Sequence, residues 1–97
     1  MAYEPGAIEA ALAAAVGDEP ALIAELRLAF ADSANRALAA MEDAQDGDAW
    51  RTAASRLRGL AASFGALDLM DLAARAMESP HGGFDLLAEL RRSIARL

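Results

Sequence analysis

Residues 50–64 read WRTAASRLRGLAASF, and this segment is the most informative part of the sequence. At the α-helical angle of about 100° per residue, six apolar residues of this stretch fall within roughly 60° of Leu57. The positions in that arc are Trp50, Ala53, Ala54, Leu60, Ala61 and Phe64. A single apolar stripe of this kind is typical of a helix that packs one side against a hydrophobic core.

The opposite side of this helix lacks the Glu, Lys and Gln that solvated helices usually carry. It presents small residues with arginines at the edges, and we call it the arginine-edged face: Arg51, Thr52, Ser55, Arg56, Arg58, Gly59, Ala62 and Ser63. A glycine within a helix costs about 1 kcal/mol relative to alanine. Either a neighbouring helix or a molecule from outside approaches Gly59 closely. We favour an outside partner with acidic groups, because Gly59 points away from Leu57 and the core.

Helix start and stop signals divide the chain into one short and four longer helices. The short helix spans about residues 5–16, and Gly17 ends it. The next begins at 18–20 with an acidic cap and a proline in its first turn, and it stops at 45–47. Its apolar positions recur every three or four residues: Leu22, Leu26, Phe30, Ala34, Leu38 and Met41.

The helix that contains residues 50–64 opens with Asp48 as its expected cap, and Gly65 breaks it. The following helix spans about 67–78 and ends before Ser79-Pro80, because proline disfavours helix at the preceding residue. The last helix carries one apolar side, formed by Phe84, Leu87, Leu90, Ile94 and Leu97. Short connections place successive helices antiparallel. The sequence therefore predicts one all-α domain over residues 1–97, an antiparallel up-down four-helix bundle with a short extra N-terminal helix.

Composition excludes several classes of function. Asp and Glu number 15 against 9 Lys and Arg, a net charge of −6, which argues against nucleic acid or an anionic membrane as the main partner. The chain has no cysteine and one histidine, His81, so it lacks the residues for a Cys zinc site, thiol catalysis or a multi-His metal site. We expect no metal, no cofactor and no enzymatic activity.

No export or membrane signal is visible in the sequence. Residues 1–6 hold an acid and no basic residue, unlike a secretory signal. The longest wholly apolar run, residues 10–16, is seven residues, whereas a membrane-spanning helix needs roughly 20. We expect a soluble, cytoplasmic monomer.

The motif around Ser55 resembles that of the histidine-containing phosphotransfer (HPt) domains of bacterial phosphorelays. Their signature is Ala-His-x-Leu-Lys-Gly, five variable residues and then Gly-Ala. Residues 54–59 here read ASRLRG, followed by five residues and then Gly65-Ala66. The Leu, Gly and Gly-Ala positions match, and Arg58 keeps the charge of the lysine. The likeness covers most of the chain, and it implies a four-helix bundle that meets receiver domains.

Ser55 departs from this pattern, because the resemblance places the phosphorylated histidine there. A serine hydroxyl is a poor nucleophile without a neighbouring base, and a phosphoserine ester is too stable to return its phosphoryl group. The resemblance assigns Arg58 to phosphate neutralisation and Gly59 to partner access, and both residues are retained. The resulting hypothesis is a pseudo-HPt module that docks a receiver domain or a histidine kinase without carrying the phosphoryl group.

Two other functions stay open. The chain is a working phosphotransfer protein if Ser55 replaces a native histidine or if another residue accepts the phosphoryl group. It is a helical oligomerisation module if the arginine-edged face packs on a second copy, against the repulsion of like charges. We interpret His81 as a loop histidine, the carboxylates (Glu42, Asp43, Asp68 and Asp71) as solvated groups, and the methionines (Met41, Met70 and Met77) as core filler.

Overall fold

The computed structural model describes residue 10, residues 19–80 and residues 83–97 of the chain. Within these residues it contains four α-helices and no β-strand. We number them α1 (Pro20–Glu42), α2 (Gly47–Ser63), α3 (Leu67–Glu78) and α4 (Phe84–Ala95). The predicted all-α class is therefore confirmed. The expected short helix over residues 5–16 lies outside the described residues, apart from residue 10.

The four helices pack in a closed ring, the arrangement of a four-helix bundle. Both α1 and α3 contact α2 and α4. The core between them holds Trp50, Phe30, Met41, Leu57, Leu69 and Leu90 as its largest fully buried apolar side chains. The rings of Phe30 and Phe64 stack with their centroids 4.4 Å apart, which ties the middle of α1 to the end of α2. Among the described residues, the one buried polar side chain is Ser93, whose hydroxyl has no hydrogen-bond partner.

The boundary between α1 and α2 differs from the prediction. α1 ends at Glu42 rather than at 45–47, and α2 begins at Gly47. The residue that caps α2 is Asp46, not Asp48, because Asp46 has the extended backbone of a cap and its carboxylate accepts the Ala49 N–H at 2.8 Å. Asp48 lies inside the first turn, where it pairs with Arg51 at 3.2 Å.

The apolar pattern of α1 is only partly buried. Phe30, Ala34, Leu38 and Met41 are in the core, and Leu26 packs against it. Leu22, which the pattern assigns to the same stripe, is 42% exposed and is a second correction. Ile23 takes the core-facing position in this turn, because at about 100° per residue it lies roughly 20° from Phe30 around the helix, whereas Leu22 lies roughly 80° from it.

The second half of the chain follows the prediction closely. α3 runs from Leu67 to Glu78 as expected. Gly65, which precedes it, has a φ of 69°, a left-handed conformation that glycine adopts without strain. In α4, Leu87, Leu90 and Ile94 are buried as the apolar pattern predicts. Three short segments, residues 43–46, 64–66 and 79–83, connect the four helices in sequence.

Candidate functional site

α2 has one buried side and one open side, as its sequence predicts. Five residues of the apolar stripe are buried and the other two, Leu60 and Phe64, are partly buried against the core. The indole N–H of Trp50 donates a 2.8 Å hydrogen bond to the carbonyl of Ala76 on α3. This bond and the stripe fix the rotation of α2 about its own axis. The arginine-edged face is consequently turned away from the core, and all eight of its residues are exposed.

Gly59 lies in open space. A Cβ atom built on Gly59 would meet nothing within 4 Å beyond its own helix backbone. Its φ is not positive, since Gly65 is the described glycine that has a positive φ. Neither close packing by a neighbouring described helix nor an unusual backbone conformation therefore requires glycine here. Of the two explanations that the sequence leaves open, the structure removes the one in which a helix of the described part packs on Gly59.

The arginines of this face differ in their partners. Arg51 pairs with Asp48, but Arg56 and Arg58 form no ion pair with any described residue. Four arginines elsewhere, Arg36, Arg75, Arg91 and Arg96, each pair with a carboxylate. Within the described residues, two cations therefore lie on one surface without a counter-charge, in a protein whose net charge is −6. Such a surface attracts an acidic partner and orients it.

Ser55 lies at the edge of an open depression between α2 and α3. The depression has a volume of about 380 Å³ and is lined by Asp48, Arg51, Thr52, Ser55 and Met77. Its carboxylate, that of Asp48, is bonded to Arg51 rather than to Ser55, and the Ser55 hydroxyl has no hydrogen bond to a described residue. No described residue therefore stands as a base beside this hydroxyl, and a serine without a base is a weak nucleophile.

A second depression opens on the other side of α2, towards α1. It has a volume of about 180 Å³ and is lined by Ser33, Arg36, Arg56 and Leu60. Sequence reasoning missed Ser33 and Arg36, which come from α1. Their spacing of three residues puts them on one side of that helix. What the sequence does not show is that this side of α1 meets the Arg56 side of α2.

The other residues weighed as candidates form no site in the described part of the chain. Glu42 pairs with Arg91, and Asp68 pairs with Arg96. Asp43 and Asp71 are exposed, and no group of three or more described side chains could hold a metal ion. Met41 is buried, and Met70 and Met77 pack against the core, as predicted for filler. His81 lies outside the described residues.

Comparison with known proteins identifies no relative of this chain. No protein-family model matches the chain, and neither a curated protein nor a solved structure does so. In the described part of the chain, every helix is too short or too polar to cross a bilayer.

Proposed function

We propose that this protein is a pseudo-HPt module of two-component signalling. It docks a receiver domain, or the histidine kinase that serves it, through the arginine-edged face and carries no phosphoryl group. The observation that carries the proposal is the open environment of Gly59, a mid-helix glycine on which a Cβ atom would meet nothing within 4 Å. The flanking Arg56 and Arg58 form no ion pair with a described residue. Receiver active sites hold clustered carboxylates, which complement these two cations.

The positions of the motif residues support the HPt resemblance. Ala54, Leu57 and Ala66 are buried, whereas Arg58 and Gly59 are exposed. An apolar set that holds the helix and a cationic set that meets a partner is what the resemblance requires of these residue types. The left-handed backbone of Gly65 supplies the turn that the Gly-Ala pair of the signature implies.

Contacts between helices support the antiparallel up-down topology that belongs to this proposal. Trp50 in the first turn of α2 bonds Ala76 near the end of α3, at 2.8 Å. Asp68 in the first turn of α3 pairs with Arg96, which follows the end of α4, at 3.2 Å. Arg27 near the start of α1 donates to the carbonyl of Leu97, the last residue, at 3.4 Å. Each contact joins an early residue of one helix to a late residue of its neighbour.

The proposed role follows from what the site retains and what it lacks. A receiver that presents its carboxylates to Arg56 and Arg58 finds complementary charge, and Gly59 lets the two backbones approach closely. Ser55 offers that receiver a hydroxyl that has no base beside it among the described residues, so the contact has no chemical step. Docking of this kind inhibits, sequesters or scaffolds the receiver, and the module acts as a monomer in the cytoplasm.

The test is a binding titration against receiver domains encoded in the same genome. Gly59→Arg fills the open space, and Arg58→Glu reverses a charge at the edge of the face. Both are expected to weaken binding at least about tenfold, the scale of a clash or a like-charge contact in an interface. Arg92→Glu is the matched control, because Arg92 is also exposed and without an ion pair in the described part, but lies on α4. Receiver binding that neither variant weakens would reject the proposed surface.

Self-association through the same face is the second candidate, and the exposed small residues are the observation that favours it. Gly59, Ala62 and Ser63 would allow two helices to approach closely. Arg56 and Arg58 oppose this arrangement, because a second copy brings like charges towards them. Light scattering distinguishes the two cases. A monomer at every concentration supports docking, and a dimer that Gly59→Arg dissociates supports oligomerisation.

A further inference from the structure

The depression between α1 and α2 is a cavity that the docking proposal does not use. Ser33 and Arg36 line it from α1, and Arg56 and Leu60 line it from α2. Its volume of about 180 Å³ is about half that of the depression beside Ser55 and leaves room for a group of the size of phosphate. Three of its four lining side chains are hydrogen-bond donors, and none is a carboxylate.

The donors in this depression are available to a ligand. The hydroxyl of Ser33 has no hydrogen bond to a described residue, and the side chain is only partly buried. Arg56 has no ion pair in the described part of the chain. Arg36 pairs with Asp32 at 2.8 Å, but both side chains are mostly exposed, at 77% and 61%. Exposed pairs within a helix contribute little, so the guanidinium can turn to a ligand at small cost.

We infer that Ser33, Arg36 and Arg56 form a binding site for a phosphate group, carried either by free phosphate or by a phosphorylated ligand. Two guanidinium groups supply paired N–H donors in the planar arrangement that phosphate oxygens accept best. The serine hydroxyl adds a neutral donor, and Leu60 closes the cavity with an apolar wall. A carboxylate has two oxygens and leaves some of these donors unused, whereas a phosphate group has oxygens for all three side chains.

The position of the site gives it a role beside the arginine-edged face. Arg56 belongs to both, because it edges the face on α2 and lines the cavity towards α1. A bound phosphate group neutralises Arg56 and brings negative charge to the edge of the face. An acidic partner would then meet less positive charge there. The site is independent of the docking proposal, since phosphate binds the chain with or without a receiver.

The test is a titration of the purified chain with inorganic phosphate, with ionic strength held constant by sodium chloride. Nuclear magnetic resonance follows the backbone amides of Ser33 and Leu60 and the side-chain Nε–H groups of Arg36 and Arg56. We expect saturable shifts at these groups. Arg56→Gln is expected to raise the Kd about tenfold, the scale of a hydrogen bond to a charged group, and Ser33→Ala by a smaller factor.

Controls separate a site from general attraction to positive charge. Arg92→Gln removes an exposed arginine on α4 and is expected to leave the Kd unchanged. Equal shifts with chloride or acetate alone, or equal weakening by Arg92→Gln and Arg56→Gln, would overturn the inference. Circular dichroism of each variant checks that the helices are intact, and all the substituted side chains are at least partly exposed.

Phenyl phosphate, tested in the same way, identifies the source of the phosphate group. Binding of this monoester as tight as that of inorganic phosphate indicates a phosphorylated ligand whose organic part projects out of the cavity. Binding of inorganic phosphate alone indicates the free ion. Failure of both ligands rejects the phosphate site and leaves the receiver titration of the docking proposal unaffected, because that titration uses no phosphate.

Discussion

The indole N–H of Trp50 donates a 2.8 Å hydrogen bond to the backbone carbonyl of Ala76. Both residues are buried, and the bond joins the first turn of α2 to the last turn of α3. It lies on the side of α2 opposite the arginine-edged face. The orientation of that face therefore depends on how Trp50 is held in the core.

Replacing Trp50 with phenylalanine is expected to lower the free energy of unfolding by about 2 kcal/mol. The change removes a buried hydrogen bond and leaves part of the indole volume empty. Urea denaturation followed by circular dichroism measures it, since Trp50 is the sole tryptophan and fluorescence would be lost. Thr52→Ala, on the exposed side of the same helix, should change stability by less than about 0.5 kcal/mol. An unchanged midpoint for Trp50→Phe would mean that the bond contributes nothing.

Asp46 caps α2, whereas Asp48 is an acidic residue in its first turn. Asp46→Ala is expected to cost about 1 kcal/mol, because its carboxylate accepts the Ala49 N–H that otherwise has no partner. Asp48→Ala should cost less, since its side chain is 96% exposed and gains little from its pair with Arg51. Thermal unfolding of both variants ranks them. A larger loss of stability for Asp48→Ala than for Asp46→Ala would mean that Asp48 caps α2, as the sequence pattern predicts.

The contrast between α2 and α3 shows how far sequence reasoning reaches. Both ends of α3 carry strong signals, Gly65 before it and Ser79-Pro80 after it, and its bounds are predicted correctly. At the start of α2, Asp46 precedes Gly47 and Asp48 follows it, and either aspartate fits the pattern of a cap. Local propensities do not decide between them. The choice depends on which aspartate has an extended backbone.

Some features of the candidate site can likewise be predicted from local sequence, whereas others depend on how the helices pack. Helical periodicity alone predicts that Ser55, Arg58 and Gly59 are exposed, because they lie opposite Leu57. Periodicity does not predict that Arg36 lines a depression together with Arg56, since this depends on the rotation of α1 relative to α2. The exposure of Leu22 follows from helical geometry, because Ile23 lies closer than Leu22 to the direction of Phe30 around α1.

Gly59→Ala is expected to raise the free energy of unfolding by about 1 kcal/mol. The added methyl group meets no atom within 4 Å and the new residue is a better helix former. Gly65→Ala is the matched control, and it should lower stability by about 1 kcal/mol or more because its φ of 69° disfavours alanine. Urea denaturation compares the two. Loss of stability in Gly59→Ala would mean that this position packs against the rest of the chain, and the docking proposal would lose its main support.

Ser55→His tests whether the surface still supports phosphoryl transfer once an imidazole is present. We expect the variant to gain acid-labile phosphate from a phosphorylated receiver, because position 55 is exposed beside Arg58 and borders a depression of about 380 Å³. The unaltered chain should gain none, since no described residue acts as a base beside the Ser55 hydroxyl. Radiolabelled phosphate and acid treatment measure both.

Adding Arg58→Glu to Ser55→His provides the control for that experiment. The double variant keeps the imidazole but reverses a charge that the receiver's carboxylates meet, so labelling should slow at least about tenfold. Rapid labelling of the unaltered chain would show a working phosphotransfer protein with another acceptor. Absence of label on Ser55→His would count against a receiver as the partner, because the proposed docking places the receiver's phosphoryl group beside position 55.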